Sequence, residues 1–317
     1  MEVKLKVLRY DPESGKEPEY RRYTVDMPES ATVLDSLIEV REFHDGTLSL
    51  RCSCRSAICG SCAMRINGRA RLACKTQVSS VAEDGEEIVV EPAGNMPTIK
   101  DLVVDMAPFW DKIRAVKPWL QPSGPPPERE YLAPPQAMIE LAEVMNCIMC
   151  GACVSDCTVL EVDKSFLAPA ALAKAWRFVH DPRDGNTAAR LRELSEPSGI
   201  WDCTRCNFCV QVCPKDVKPM DQIMKLRAEA TAIGITNNAG SRHTFAFTST
   251  VKEGGRLNEF QMLPRTHGLL NIAANLAELP GGIRMIRAGK MPSPFTHKIP
   301  GAAHVKRIFK RFEHAKV

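Results

Sequence analysis

Residues 54–74 read CRSAICGSCAMRINGRARLAC, with four cysteines spaced Cys54-x4-Cys59-x2-Cys62-x11-Cys74. Three thiols lie within nine residues and the fourth comes twelve residues later, so one compact loop and one remote position supply them. The residues among the first three are small: Ser56, Ala57, Gly60, Ser61, then Ala63. A loop of this kind lets backbone N–H groups approach closely whatever the sulfurs hold.

That spacing is the plant-type arrangement around a [2Fe–2S] cluster, where four thiolates converge on two irons. Zinc needs only two C-x2-C pairs, and a C-x4-C step fits it poorly. Cys54, Cys59, Cys62 and Cys74 are the expected ligands. Cys52 stands outside the pattern and is expected to be a small buried or free thiol. Working outward, Val3, Leu5 and Val7 alternate with charged residues as a half-buried strand does. Residues 11–16 (DPESGK) are turn chemistry, and a second strand over 20–27 completes a hairpin. Ser30 or Thr32 can cap a helix reaching about Phe43, with Val33, Leu34, Leu37 and Ile38 on one face. Strands follow at 63–66 and 88–91, with Asn67-Gly68 as a tight turn. The pattern predicts an α+β region, an N-terminal β-grasp plant-type ferredoxin domain over residues 1–105.

Two further runs read CIMCGACVSDC (147–157) and CTRCNFCVQVCP (203–214). Each is the C-x2-C-x2-C-x3-C run of two-cluster bacterial ferredoxins, whose fourth cysteine ligates the other cluster. Cys147, Cys150, Cys153 and Cys213 are thus expected on one [4Fe–4S] centre. Cys203, Cys206, Cys209 and Cys157 are expected on the other. Paired zinc knuckles would not need this crossing.

The rest of the chain agrees. It has 317 residues, 44% hydrophobic and 25% charged, which fits about two folded domains rather than disorder. All 13 cysteines fall in the three groups. An odd number of clustered thiols points away from a disulfide framework and toward metal or redox chemistry. Eight prolines in residues 106–136 predict an extended, semi-rigid linker packed along the surface. Residues 137–235 read as an all-α two-cluster domain, with helices expected over 169–180, 187–194 and 220–232. Residues 236–317 form a C-terminal extension of weak periodicity. From Ser241 onward, 13 Lys/Arg face 4 Asp/Glu, a net of +9. In a chain of net charge +4, that leaves −5 for the body. No nucleic-acid recognition motif accompanies the basic tail, so no nucleic-acid partner is expected. No signal peptide and no membrane-spanning stretch are visible, so the chain is expected in or facing the cytosol. No glycine-rich dinucleotide fingerprint, nucleophile elbow or HExxH is present, which leaves one-electron transfer as the chemistry.

A [2Fe–2S] domain followed by a helical two-cluster domain resembles the iron–sulfur subunit of succinate dehydrogenase and fumarate reductase. The strings at 54–74 and 147–157, LAPAALAKAWRFVHDPRDG at 167–185 and CTRCNFCVQVCPKDVKP at 203–219 carry the likeness, which spans about residues 1–232. The resemblance implies a flavoprotein partner bearing FAD, electron flow through the three centres, and a quinone near a membrane-anchor subunit. It also implies a peripheral position on the cytoplasmic side of the cell membrane, held by partner subunits. The chain departs from the family pattern in two respects. Most relatives lack a cysteine at the position of Cys206 and carry [3Fe–4S] as the third cluster. Here the fourth thiolate predicts [4Fe–4S], with [3Fe–4S] as the alternative if Cys206 turns away. Thr158, Val162 and Thr204 stand where the family has its quinone-site proline, tryptophan and histidine. Residues 242–260 resemble the tails of heterodisulfide-reductase-type iron–sulfur subunits, whose membrane partner is a cysteine-rich subunit. The competing readings are therefore a heterodisulfide-reductase-like or 2-hydroxy-acid dehydrogenase complex and, from another class, a zinc-stabilised interaction protein.

Near the end, Val305, Ile308, Phe309 and Phe312 recur at i, i+3, i+4 and i+7 among basic residues. Such a helix can lie on an anionic membrane, dock in a partner groove, or simply cover its own domain. Trp176 and Phe178 are expected in the core and His180 at a helix end. Arg55 and Arg65 flank the first centre and are expected to raise its potential. Five of seven histidines lie in the tail and match no metal motif.

Overall fold

Strand β1 (Glu2–Arg9) buries Val3, Leu5 and Val7 and leaves the alternate positions more open, as its pattern predicts. This computed structural model describes every residue except 84, 269, 294, 296, 297 and 315–317. A turn containing a short 3-10 segment, Pro12–Ser14, leads to β2 (Glu19–Asp26), antiparallel to β1 with Leu5 opposite Tyr23. Helix α1 (Val33–Glu39) starts at Thr32, whose hydroxyl accepts from the Asp35 N–H while the Asp35 carboxylate accepts from the Thr32 N–H. This reciprocal capping satisfies two donors that a helix start leaves open. A π-helical turn, Val40–His44, continues it, so the helical stretch reaches as far as expected but widens at its end.

Strands β3 (Ala63–Ile66) and β4 (Arg69–Leu72) form the predicted hairpin, with φ of 49° at Asn67 and 73° at Gly68. Two left-handed residues in succession suit the twist of the strands they join. Strand β5 (Glu87–Glu91) runs parallel to β1 and antiparallel to β3, giving the sheet order β2-β1-β5-β3-β4. Leu34 and Leu37 of α1 join Leu5, Ile66, Ile88 and Val90 in one core. Two short strands, β6 (Thr98–Lys100) and β7 (Val103–Val104), form a separate ribbon that the sequence reading does not anticipate. Between them, Asp101 is buried and binds the Arg9 guanidinium at 2.9 Å.

The expected linker over 106–136 needs correction at both ends. Residues Ala107–Ala115 are helix α2, with Pro108 in its first turn, where its missing N–H costs nothing. Its Phe109 and Ile113 are buried. Helix α3 (Pro135–Met145) likewise begins on proline, inside the expected linker. Between the helices the chain is strapped to its surroundings as a connector. Arg190 donates to the carbonyls of Val116, Lys117 and Trp119, and the Gln121 N–H donates to Asp184.

The helical region continues with α4 (Ala152–Ser155), α5 (Thr158–Val162), α6 (Ala168–Val179), α7 (Thr187–Leu194), α8 (Phe208–Gln211) and α9 (Pro219–Ala232). The three expected helices appear as α6, α7 and α9, within a residue or two. Helix α6 is central: most of it is buried, much of that alanine, so neighbouring loops approach its axis closely. Trp176 is buried and stacks on His180, which caps the helix and meets Glu140 at 2.6 Å. Residues 1–229 form one compact unit, so the two predicted cluster domains are packed together and the division falls at 229/230 rather than near 235.

Residues 230–317 form the second unit. Its sequence shows little periodicity, yet it folds into α10 (Ala239–Gly254), α11 (Glu259–His267), α12 (Ile272–Ala277), α13 (Leu279–Arg287) and α14 (Ala302–His314). Helix α10 packs on α11 and α14. Gly255, in left-handed conformation after α10, lies against Ile299, where a Cβ would come within 2.6 Å of its side chain. Of the tail histidines, His297 lies outside the described residues. Among those residues no helix is long and apolar enough to cross a membrane.

Candidate functional site

All thirteen cysteines are free thiols. They stand in three groups, each shaped by left-handed backbone. In the first loop Arg55, Ala57 and Gly60 have φ of 53°, 54° and 73°. Alternating hands turn successive N–H groups inward, forming a concavity that suits anions and iron–sulfur sites. The N–H groups of Ser56, Ile58 and Cys59 all lie 3.3 Å from Cys54 Sγ, and that of Ala57 lies 3.3 Å from Cys74 Sγ. The Cys74 N–H points at Cys62 Sγ from 3.5 Å. Cys59, at the surface, has its thiol pKa lowered to about 6 by the Ser61 hydroxyl and backbone donors. Burial pushes that of Cys62 up to about 12.

The second and third groups repeat one another. Met149 and Gly151 have φ of 57° and 78°, and the matching Arg205 and Asn207 have 60° and 69°. Cys147, Cys150, Cys153 and Cys213 line one cavity, whose far wall includes Ala170 and Ala173 of α6. Cys150 is raised to about 11, chiefly by burial and then by the charges of Cys147 and Cys213. Cys153 is raised well above the ordinary thiol value by burial, with Cys150, Cys147, Cys209 and Cys213 adding to it. In the third group Cys209 is raised to about 12 by burial and by Cys203, Cys206 and Cys157. Burial also raises Cys157 and Cys203. Cys206 is exposed but faces its group; burial pushes its pKa up, and the Thr158 hydroxyl and backbone donors bring it below the ordinary value. Cys157 is the N-cap of α5, with N–H groups of Val159 and Leu160 toward its sulfur. Cys213 precedes a turn and receives the Val217 N–H at 3.4 Å.

The fold therefore brings Cys213 to the first three cysteines of the earlier run, and Cys157 to those of the later one. Burial and crowding disfavour the thiolate form of these cysteines, so holding them as thiolates takes a cationic group, which an iron–sulfur core supplies as it ligates them. The soft donors, inward N–H groups and small-residue loops all fit clusters of that kind. Among the described residues, no three or more His, Cys, Asp or Glu side chains gather as a single metal ion would require.

Three features escape the sequence. Gly60 abuts Cys150, so the first loop touches the second group. Asp156, buried beside Cys157, accepts from the Ala70 N–H at 3.0 Å and from Arg65 at 3.3 Å, latching the sheet to α4. Arg65 also donates to the Ser155 carbonyl at 2.6 Å, so its contacts are with this latch rather than with the first cysteine loop. Arg227 is buried and donates to the carbonyls of Ile200 and Cys203 at 2.7 Å. Burial lowers its pKa to about 10. No local motif marks these residues, because each acts on a partner more than twenty positions away. Cys52 is a half-buried free thiol against the sheet core, as expected.

Residues 4–111 match the family described as a 2Fe-2S iron-sulfur cluster binding domain, and residues 143–217 match the 4Fe-4S dicluster domain. The 8-methylmenaquinol:fumarate reductase iron-sulfur subunit of Wolinella succinogenes is 32% identical over 295 residues, covering 91% of each chain. The chain belongs to the iron–sulfur subunits of succinate dehydrogenase and fumarate reductase. The fumarate reductase iron-sulfur subunit of Mycobacterium tuberculosis is 39% identical over 230 residues, 72% of this chain and 92% of that one. A chain of the Mycobacterium smegmatis Sdh1 complex in the apo form superposes with a TM-score of 0.66 at 27% identity, over 74% of this chain and 98% of that one. This member is thus an electron-carrying subunit of a succinate:quinone oxidoreductase, with a [2Fe–2S] domain ahead of a dicluster domain. The heterodisulfide-reductase and hydroxy-acid alternatives are not favoured. The Wolinella likeness covers so much of the chain that it takes in most of residues 236–317, whereas the M. tuberculosis match covers 72% of the chain.

Proposed function

We propose that this subunit carries electrons one at a time between the FAD of a flavoprotein partner and a quinone at the membrane, through three centres in series. Cys54, Cys59, Cys62 and Cys74 hold [2Fe–2S]. Cys147, Cys150, Cys153 and Cys213 hold the first [4Fe–4S]. Cys157, Cys203, Cys206 and Cys209 hold the third centre, as [4Fe–4S]. The crossing of Cys157 and Cys213 between runs carries the reading, because an electron wire needs its second and third centres side by side. Cys153 and Cys209 lie within electrostatic reach of each other. The Gly60 contact with Cys150 brings the first loop against the second group in the same way.

Domain roles follow this order: residues 1–105 face the flavoprotein and 137–235 face the membrane partner, on the cytoplasmic side. The relative that shares the extension is named for a methylated menaquinol, so a quinone of that class is the one we place beyond the third centre. Thr158, Val162 and Thr204 offer no family-type quinone pocket on this chain, which favours a cysteine-rich membrane partner completing the site. The Cys213→Ala variant tests the crossing. It should lose the first [4Fe–4S] centre by EPR of the dithionite-reduced protein and keep the third. Loss of the third centre alone would refute the ligand sets.

A further inference from the structure

Residues 279–312 contain eight Lys/Arg and no Asp or Glu. Helix α13 falls in that stretch, as does α14 up to its last two residues, Glu313 and His314. On α13, Leu279, Ile283 and Ile286 recur at i, i+4 and i+7, hence on one face. They are 54%, 48% and 62% exposed, and the helix has no buried residue. Arg284 and Arg287 lie along one flank of that face. On α14, Val305 and Phe309 are half-buried while Ile308 and Phe312 are 56% and 71% exposed. Lys306, Arg307, Lys310 and Arg311 take the remaining faces, all exposed. Among the described residues none of these six cations pairs with a carboxylate.

Apolar stripes left in water mark a surface that something covers. Charge decides what covers these. The occupant must accept apolar side chains and, alongside them, a dense row of cations with no anion among them. A bilayer with anionic headgroups offers both at the right depth, since apolar faces enter the headgroup–acyl boundary while Lys and Arg stay among phosphates. Neither helix is long enough to span, at 9 and 13 residues. We propose that α13 and α14 are interfacial helices that seat this subunit directly on anionic lipid. The inference rests on the reading of the chain as part of a membrane-bound electron-transfer complex and adds to it a lipid contact made by this subunit itself.

The test is co-sedimentation of the full-length, cluster-loaded chain with vesicles of phosphatidylcholine alone or of equimolar phosphatidylglycerol and phosphatidylcholine. Binding to the anionic vesicles should be at least about tenfold stronger and should weaken as salt rises. The exposed double variant Arg284→Glu/Arg287→Glu and the single variant Ile283→Asp should each lose about tenfold of it. Equal binding to both vesicle types, or variants that bind like the wild type, would overturn the proposal. So would variants that keep vesicle binding but lose a co-purifying subunit, since the helices would then face protein. The visible spectrum of each sample reports the centres separately, so failure of the iron–sulfur reading shows as colourless protein whatever the vesicles do.

Discussion

At Gly60 any other residue would place a Cβ 2.7 Å from the Cys150 Cβ and 2.9 Å from its Cα. The glycine answers two demands, a φ of 73° and a backbone-close approach between loops. Gly68 has the same φ with open space around it, so it serves as a control. Gly60→Ala should cost about 1–3 kcal/mol more than Gly68→Ala in urea unfolding of the loaded protein, from overpacking alone, and should lower iron content. Equal costs would show that the contact is unimportant. Cys206 gives a second test: Cys206→Ala should bring out the EPR signal of an oxidised [3Fe–4S] centre, absent from the wild type. If the wild type already shows that signal, Cys206 is not a ligand. The twelve proposed ligands are read from sequence because cluster coordination imposes local spacings. Gly60's second duty and the Asp156 latch are not, because their partners lie some ninety residues away and leave no periodic trace.

The turn after α6 shows how a short element is fixed by charge. Asp181, with a side chain out of solvent, meets both Arg177 and Arg183. Burial pushes its carboxyl pKa up, but the two guanidinium groups outweigh that and hold it well below the usual carboxylate range. A carboxyl depressed on folding stabilises the fold above its unfolded pKa of about 3.9, and that contribution fades as pH falls toward the folded value. Asp181→Asn should therefore cost about 3 kcal/mol at pH 7. The gap between the two proteins should narrow below about pH 4. A constant gap across a pH series of thermal melts would contradict this. Elements with strong periodicity, such as β1 and α6, can be read from the chain. Helix α2 is hidden because proline, read as a breaker, sits in its first turn, where it is tolerated, and the same reading of proline misses only the first two residues of α3. Helix α12 is only six residues long, and the apolar row of α13 is masked by Pro280, Gly281 and Gly282 in its first turn, which read as breakers.

Across the molecule, residues 1–229 join a five-stranded sheet to a helical region, with all thirteen cysteines, in three groups, inside one unit. Likeness to the Mycobacterium tuberculosis subunit covers 72% of the chain, and likeness to the Wolinella subunit covers 91%. A series of centres like the one proposed here would serve succinate oxidation and fumarate reduction alike, since a conductor has no built-in direction. The central claim is that twelve thiolates hold three iron–sulfur centres. Quantifying iron and acid-labile sulfide in the anaerobically purified full chain, with EPR of the same sample on stepwise reduction, tests it most directly. About ten irons per chain are expected, in one [2Fe–2S] and two [4Fe–4S] centres. A colourless protein holding zinc, or one with its cysteines paired as disulfides, would contradict it.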